Sequence, residues 1–205
     1  MVESNGNAYR NRLLALLGQE RLGRLWPDLE FVDLLLATLL EAPDEPPHVW
    51  FPTASVGSVM AGGPGRERAE ARLFGREAMS GPAVVLGDDR SPHETRVQVA
   101  GHGIRIGSDA MRAAMRADGS IRDLFLRYVL AGAAQGAGTI LANARFGIEE
   151  RLARWLLMCH DRLDGDVLAT THEFLAVMLG GRHGGGAHAG GARASPGEPR
   201  AHPHR

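Results

Sequence analysis

From Arg182 to Arg205 the chain has no Val, Ile, Leu, Met, Phe, Trp or Tyr; Gly, Ala, Arg, His and Pro fill the stretch, with one Ser and one Glu. Such a segment buries too little apolar surface to offset the entropy of ordering it. A packed core must therefore come from the residues up to about Gly181, and 182–205 reads as a disordered Gly/Ala/Arg/His/Pro tail.

Those first 180 residues can build one. The 205-residue chain is 44% hydrophobic, with a net charge of −1, so it lacks the global basic field of a nucleic-acid coat protein. Its single cysteine, Cys159, excludes an internal disulfide and a Cys-ligated zinc ribbon or iron–sulfur cluster. The N-terminal MVESNGNAYRNR has no apolar signal core. The longest greasy run, 31–40, carries Asp33 and falls far short of the roughly 20 residues that span a bilayer. The expectation is a soluble cytoplasmic protein with no membrane partner.

Hydrophobic periodicity divides the body. Residues 9–26 show helical spacing at Leu13, Leu16, Leu17, Leu22, Leu25 and Trp26, with Gly18 as a break and Pro27 as a stop. Between 30 and 108 turn signals recur about every ten residues, which points to many short strands in a sandwich or barrel. Val97/Val99 and Ile104/Ile106, on either side of Gly101-His102-Gly103, read as a hairpin with one buried face; Val49/Phe51 and Val56/Ser58/Met60 read as further strands.

Beyond Ser108 the period becomes helical. Ser108 is read as the N-cap of a helix to Met115, and Ser120 as the cap of a longer one to about Ala144 with Ile121, Leu124, Phe125 and Tyr128 on one stripe. The second half of that helix is small, from Ala131 and Gly132 through Gly136 and Gly138; this reads as drift in a helix held by its neighbours or, alternatively, as a close helix–helix contact, since small side chains let backbones approach. Residues 148–163 form a third helix, with Leu152, Trp155, Leu156, Cys159 and Leu163 as its stripe, Cys159 as a core thiol and Glu150–Arg154 as an i,i+4 pair. Thr170-Thr171-His172-Glu173 fits a capping box for a last helix, with Ala176 four residues before the turn at Gly180.

Five segments carry a family resemblance: His48-Val49-Trp50-Phe51-Pro52, Gly75-Arg76-Glu77-Ala78-Met79, 86–92 (LGDDRSP), 149–157 (EERLARWLL) and Thr171-His172-Glu173-Phe174-Leu175-Ala176. In this order, over about residues 10–181, the chain resembles the Crp/Fnr superfamily of bacterial transcription regulators. The resemblance implies an α+β fold: an N-terminal antiparallel β-roll, jelly-roll-like and of the cyclic-nucleotide-binding type, then a long dimerisation helix and a C-terminal winged helix-turn-helix. The implied division is 1–29 as a helical segment, 30–108 as an effector-sensing roll, 109–146 as helices including the dimerisation helix, 147–181 as a partial DNA-binding domain, and 182–205 as the tail.

The resemblance also assigns residues. Gly75, Glu77, Arg90 and Ser91 fall where cyclic-nucleotide-binding members hold ribose and phosphate, although Arg76 interrupts the Gly-Glu pair and Pro92 follows Arg90-Ser91. A roll that binds something else, or nothing, is the favoured reading, so no cofactor is assigned. Thr171, His172, Arg182 and His183 fall at the DNA-facing end, and Leu124, Tyr128, Gly132 and Gly136 at the dimer interface. The implied partners are a second copy of the chain and DNA.

The residues after Gly180 lack the apolar positions by which a recognition helix packs, so the sequence reads as truncated or frameshifted there, with DNA readout impaired. Residues 144–181 hold four Arg against six acids, and the tail four Arg against one Glu. The alternative reading is a dimerising sensor that does not read DNA. No metal site is assigned: His48, His93 and His102 stand alone, and the only His-x-His is 202–204 in the tail. No phosphate loop, Gly-x-Ser-x-Gly or triad is present, so an enzyme is not expected.

Overall fold

A computed structural model describes residues 8–42, 48–62, 68–88 and 90–168. Near the N-terminus lie the helices α1 (Arg12–Ala15) and α2 (Gly18–Leu25), parted at Gly18 (φ 71°) and followed by a 3₁₀ turn, Trp26–Asp28. Asn11 caps α1 by accepting from the Leu14 N–H at 3.0 Å. Its amide also donates to the carbonyls of Pro52 and Ala78, at 2.8 and 2.9 Å, which ties the N-terminus to the strands.

Among the described residues seven strands follow: β1 (Glu30–Leu34), β2 (Leu39–Glu41), β3 (His48–Pro52), β4 (Val56–Gly62), β5 (Arg68–Phe74), β6 (Glu94–Val99) and β7 (Gly101–Gly107). They form two antiparallel sheets and no closed barrel, one ordered β1-β7-β3 and the other β2-β6-β4-β5. Leu34, Leu40, Phe74 and Val97 fill the space between the sheets, with Val32, Trp50 and Val59 packed beside them. Val49, Phe51, Ile104 and Ile106 belong to a second core, shared with Leu14, Leu25, Met79, Val84, Met111 and Phe125. The three-stranded sheet is thus covered on both faces.

That double coverage overturns the hairpin expected at 97–106. β6 pairs with β2 and β4, whereas β7 pairs with β1 and β3, so consecutive strands lie in different sheets. Ala100 alone joins them. The crossing is tight because a Cβ on Gly101 would overlap the Ala54 carbonyl. Alternating apolar residues on both strands signal burial, and each strand buries against a different core.

A short helix, α3 (Pro82–Leu86), sits between Gly81 and Gly87, both at positive φ. Two longer ones, α4 (Ser108–Ala117) and α5 (Gly119–Arg145), follow β7. Ser108 is the first residue of α4 rather than its cap, since Gly107 holds the N-cap position and no side chain caps that end. α5 is capped by Asp118, whose carboxylate accepts from the Ser120 N–H and hydroxyl at 2.9 and 2.6 Å; Ser120 is a donor to the cap. Those bonds, with Arg21 and Arg24 nearby, hold the Asp118 carboxyl below its ordinary range.

The last described helix is α6 (Ile148–His160), three residues shorter than expected. Its first turn is closed by Glu150, which reaches back to the Gly147 N–H at 2.7 Å, while Arg154 points to Thr139. Trp155 and Cys159 are buried as expected, but Leu156 is 40% exposed. α6 seats on the four-stranded sheet through Trp155 and Cys159 against Val56, Met60 and Leu73. Burial pushes the Cys159 thiol up to about 12, with the Glu70 charge adding to the shift, so it is an inert core group.

The same interface holds a buried carboxylate. Glu70 of β5 is 7% exposed and accepts from the Trp155 indole N–H at 3.2 Å. Desolvation raises its pKa to about 7, against the opposing pull of that hydrogen bond, Arg154 and Arg162. Because the folded state binds this proton more tightly than the unfolded chain, the contribution of Glu70 to stability is full below about pH 4.5 and is lost as pH rises through about 7.

Two outcomes follow from this architecture. Glu70→Gln keeps an acceptor for Trp155 and is expected to raise stability relative to the parent chain by roughly 2–3 kcal/mol at pH 8, with the gap closing by pH 5; denaturant titrations of both proteins across that range measure it. Gly101→Ala should destabilise the roll by on the order of 3 kcal/mol, because its new methyl group meets a fixed carbonyl rather than a mobile side chain; its thermal melt checks this.

Candidate functional site: the cleft between roll and long helix

β5 is the edge of its sheet, and α5 runs beside it. Arg72, 9% exposed, reaches from β5 to α5, where its Nη2 donates to the Tyr128 hydroxyl at 2.9 Å and its guanidinium lies 5.4 Å from the Tyr128 ring centre. The Tyr128 hydroxyl in turn donates to the Met79 carbonyl. Burial raises the Tyr128 pKa, partly offset by Arg72, so it stays a neutral donor. Gly132 completes the fit: a Cβ there would overlap the Arg72 guanidinium.

The remaining space is a cleft of about 140 Å³, lined by Arg72, Glu77, Tyr128, Gly132, Gln135 and Arg162 among others. Gln135 buries its side-chain oxygen there without a partner among the described residues. Sites for drug-sized ligands typically measure about 300–1,000 Å³, so this cleft is smaller than such a molecule needs.

The four expected effector residues separate into two pairs. Glu77 lines the cleft and, like Gly75, meets Arg162, whose Nε donates to Glu77 Oε1 at 2.8 Å. Arg90 and Ser91 do not line it. Arg90 is exposed, and its N–H donates to Asp88 at 3.1 Å. Ser91 is buried within its own turn, its hydroxyl donating to the His93 carbonyl at 2.8 Å. Sequence reasoning missed Arg72 and Arg162, which dominate the cleft. No sequence signal marks them, since each sits among many arginines.

Leu124, Tyr128, Gly132 and Gly136 all face inward. Leu124 and Tyr128 pack on the helical core, and Gly132 and Gly136 lie against Arg72 and the Ala71 carbonyl of β5. The opposite side of α5 presents Leu126, Leu130, Ala133, Ala137, Ile140 and Ala144, all exposed and spaced alternately by four and three residues. Leu130 and Ile140 are 72% and 71% exposed. By length and composition α5 is also the one helix among the described residues apolar enough to cross a membrane. Thr171, His172, Arg182 and His183 lie outside the described residues, as do the last expected helix and the tail.

Elsewhere, Asp33 and His102 pair at 2.9 Å on an open surface, and no group of three potential metal ligands exists among the described residues.

No family model matches the chain, and no curated protein matches it. Solved structures do. A protein from Eubacterium rectale classed with the transcriptional regulators of the Crp/Fnr family aligns with a TM-score of 0.67 at 11% identity, covering 82% of this chain and 80% of that one. FixK2 from Bradyrhizobium japonicum aligns at 0.61 and 13% identity, over 75% and 78% of the two chains. CLP from Xanthomonas campestris, a global regulator responsive to c-di-GMP, aligns at 0.60 and 12% identity, over 79% and 84%. The two antiparallel sheets followed by a long helix are thus the α+β fold of Crp/Fnr regulators and their cyclic-nucleotide-binding domains.

Proposed function

We propose that this chain is a cytoplasmic transcription regulator of the Crp/Fnr type and not an enzyme. In this reading it acts as a homodimer whose roll senses an effector and whose C-terminal part carries an impaired helix-turn-helix. The observation that carries the reading is the order of parts within one fold: a roll, a 27-residue helix with an apolar face that is exposed among the described residues, and α6, aligned with Crp/Fnr regulators over most of both chains.

The apolar face of α5 is the proposed dimer seam. Its four-and-three spacing from Leu126 to Ala144 is that of a two-stranded coiled coil, and the alanines at 133, 137 and 144 let two backbones approach closely. This seam replaces the inward-facing residues expected from the sequence. It also accounts for the apolar character of α5 without a membrane.

The alternative, a dimerising sensor without DNA readout, draws on the composition of 182–205, which has no residue to build the inner face of a recognition helix. Retardation of a random-sequence DNA pool, followed as a function of salt, separates the two readings. Sequence-selective retention at moderate salt supports the regulator; weak binding that is lost with salt and selects no sequence supports the sensor.

For the seam, Leu130→Asp combined with Ile140→Asp is expected to weaken self-association by at least about 100-fold, since each buried anchor contributes on the order of 2 kcal/mol. Sedimentation equilibrium measures it, and circular dichroism should show the protomer still folded.

A further inference from the structure

Arg162 lies just past the end of α6 and is the point where three distant parts of the chain meet. Its side chain is 10% exposed; Nε donates to Glu77 Oε1 at 2.8 Å and Nη1 to the Met158 carbonyl at 2.6 Å. Its own carbonyl accepts from Arg76 Nε at 2.9 Å. Two residues on, Asp164 accepts from Arg76 Nη1 at 2.7 Å and from Arg10 at 2.8 Å. These bonds, that from Arg76 foremost, hold the Asp164 carboxyl below its ordinary range.

The loop 75–77 is shaped to receive this segment. A Cβ on Gly75 would come within 2.9 Å of the Arg162 Cβ and Cγ, so a larger residue would push the arginine stem off the roll. The contacts are not of equal weight. Arg10 and Asp164 are 51% and 61% exposed, and pairs of that kind contribute little. Arg162 is nearly buried, and removing its partner would leave a desolvated guanidinium uncompensated. Arg162 also lies near Glu70, whose ionised form it favours. The Glu77 pair is thus the contact on which the placement of the segment turns.

We propose that Arg162 is a latch: by pairing with Glu77 it joins closure of the loop 75–77 and seating of α6 on β5 into one two-state element. Whatever takes Glu77 from inside the cleft must expel Arg162 and thereby free α6. The latch stands on its own contacts; only its use in signalling rests on the regulator reading above.

Hydrogen–deuterium exchange of the full chain tests it. Arg162→Gln is expected to speed exchange at least tenfold in both 148–160 and 75–79, with β3 and β7 unchanged. Glu77→Ala should do the same, and the double variant should loosen 75–79 no further than either single one, because each change alone already breaks the Glu77–Arg162 pair. Combining Glu77→Arg with Arg162→Glu should restore protection in both segments. Unchanged protection of α6 in Arg162→Gln, or effects on 75–79 that add in the double variant, would overturn the latch. If Arg162→Gln does not fold, Arg162→Lys is the second probe: it should loosen both segments together, and loosening of only one of them sinks the idea. DNA retardation is unaffected by these outcomes and judges the regulator reading separately.

Discussion

Two buried charges on one edge strand govern how the second half of this protein is put together. Glu70 and Arg72 stand two residues apart on β5, and each is at most 9% exposed. A charge removed from water must be paired, hydrogen-bonded or neutralised. Arg72 finds the Tyr128 hydroxyl and ring on α5, and Glu70 finds the Trp155 indole on α6. The two helices therefore do more than cover an exposed sheet edge, which an apolar surface could achieve. They are positioned where the hydrogen-bonding groups of β5 require them, and the cleft between roll and helix takes its shape from that requirement.

Arg72, with Arg162 and Glu77, also explains what the cleft is. In a roll that holds a ligand between its edge and the long helix, that space would be left for the ligand. Here Arg72 enters from the strand and Arg162 from beyond α6, and each is already engaged by a partner of the same chain, Tyr128 and Glu77. Glu77, the acid that family resemblance assigns to a ligand, already has a guanidinium partner from its own chain. The site is consequently an internal contact first, and any occupant competes with it.

Legibility in the sequence follows from these points. Val49/Phe51 and the stripe Ile121/Phe125 are readable because simple periodicity and simple burial coincide there. β5 (RAEARLF) is not, since its buried positions include a Glu and an Arg and no apolar alternation announces it. The link at Ala100 is not, because alternation reports burial and says nothing about which sheet a strand joins. The inner face of the second half of α5 is not, because Gly and Ala occur on both sides of it and only the Arg72 guanidinium selects Gly132 for the inside. α3 is masked by the glycines that bound it, which read as turns. Of the candidate site, Gly75 and Glu77 were readable through family order, whereas their partner Arg162 lies 85 residues from Glu77 and has no local mark.

The lone cysteine offers a last consequence. Cys159 is fully covered by Val56, Met60, Leu73 and Trp155, and its thiol stays protonated at any physiological pH. An alkylating reagent can reach it only when the helix that carries it lifts from the sheet. With a single sulfhydryl in all 205 residues, the rate of its chemical capping is a clock for that excursion, set into the native chain without any added label.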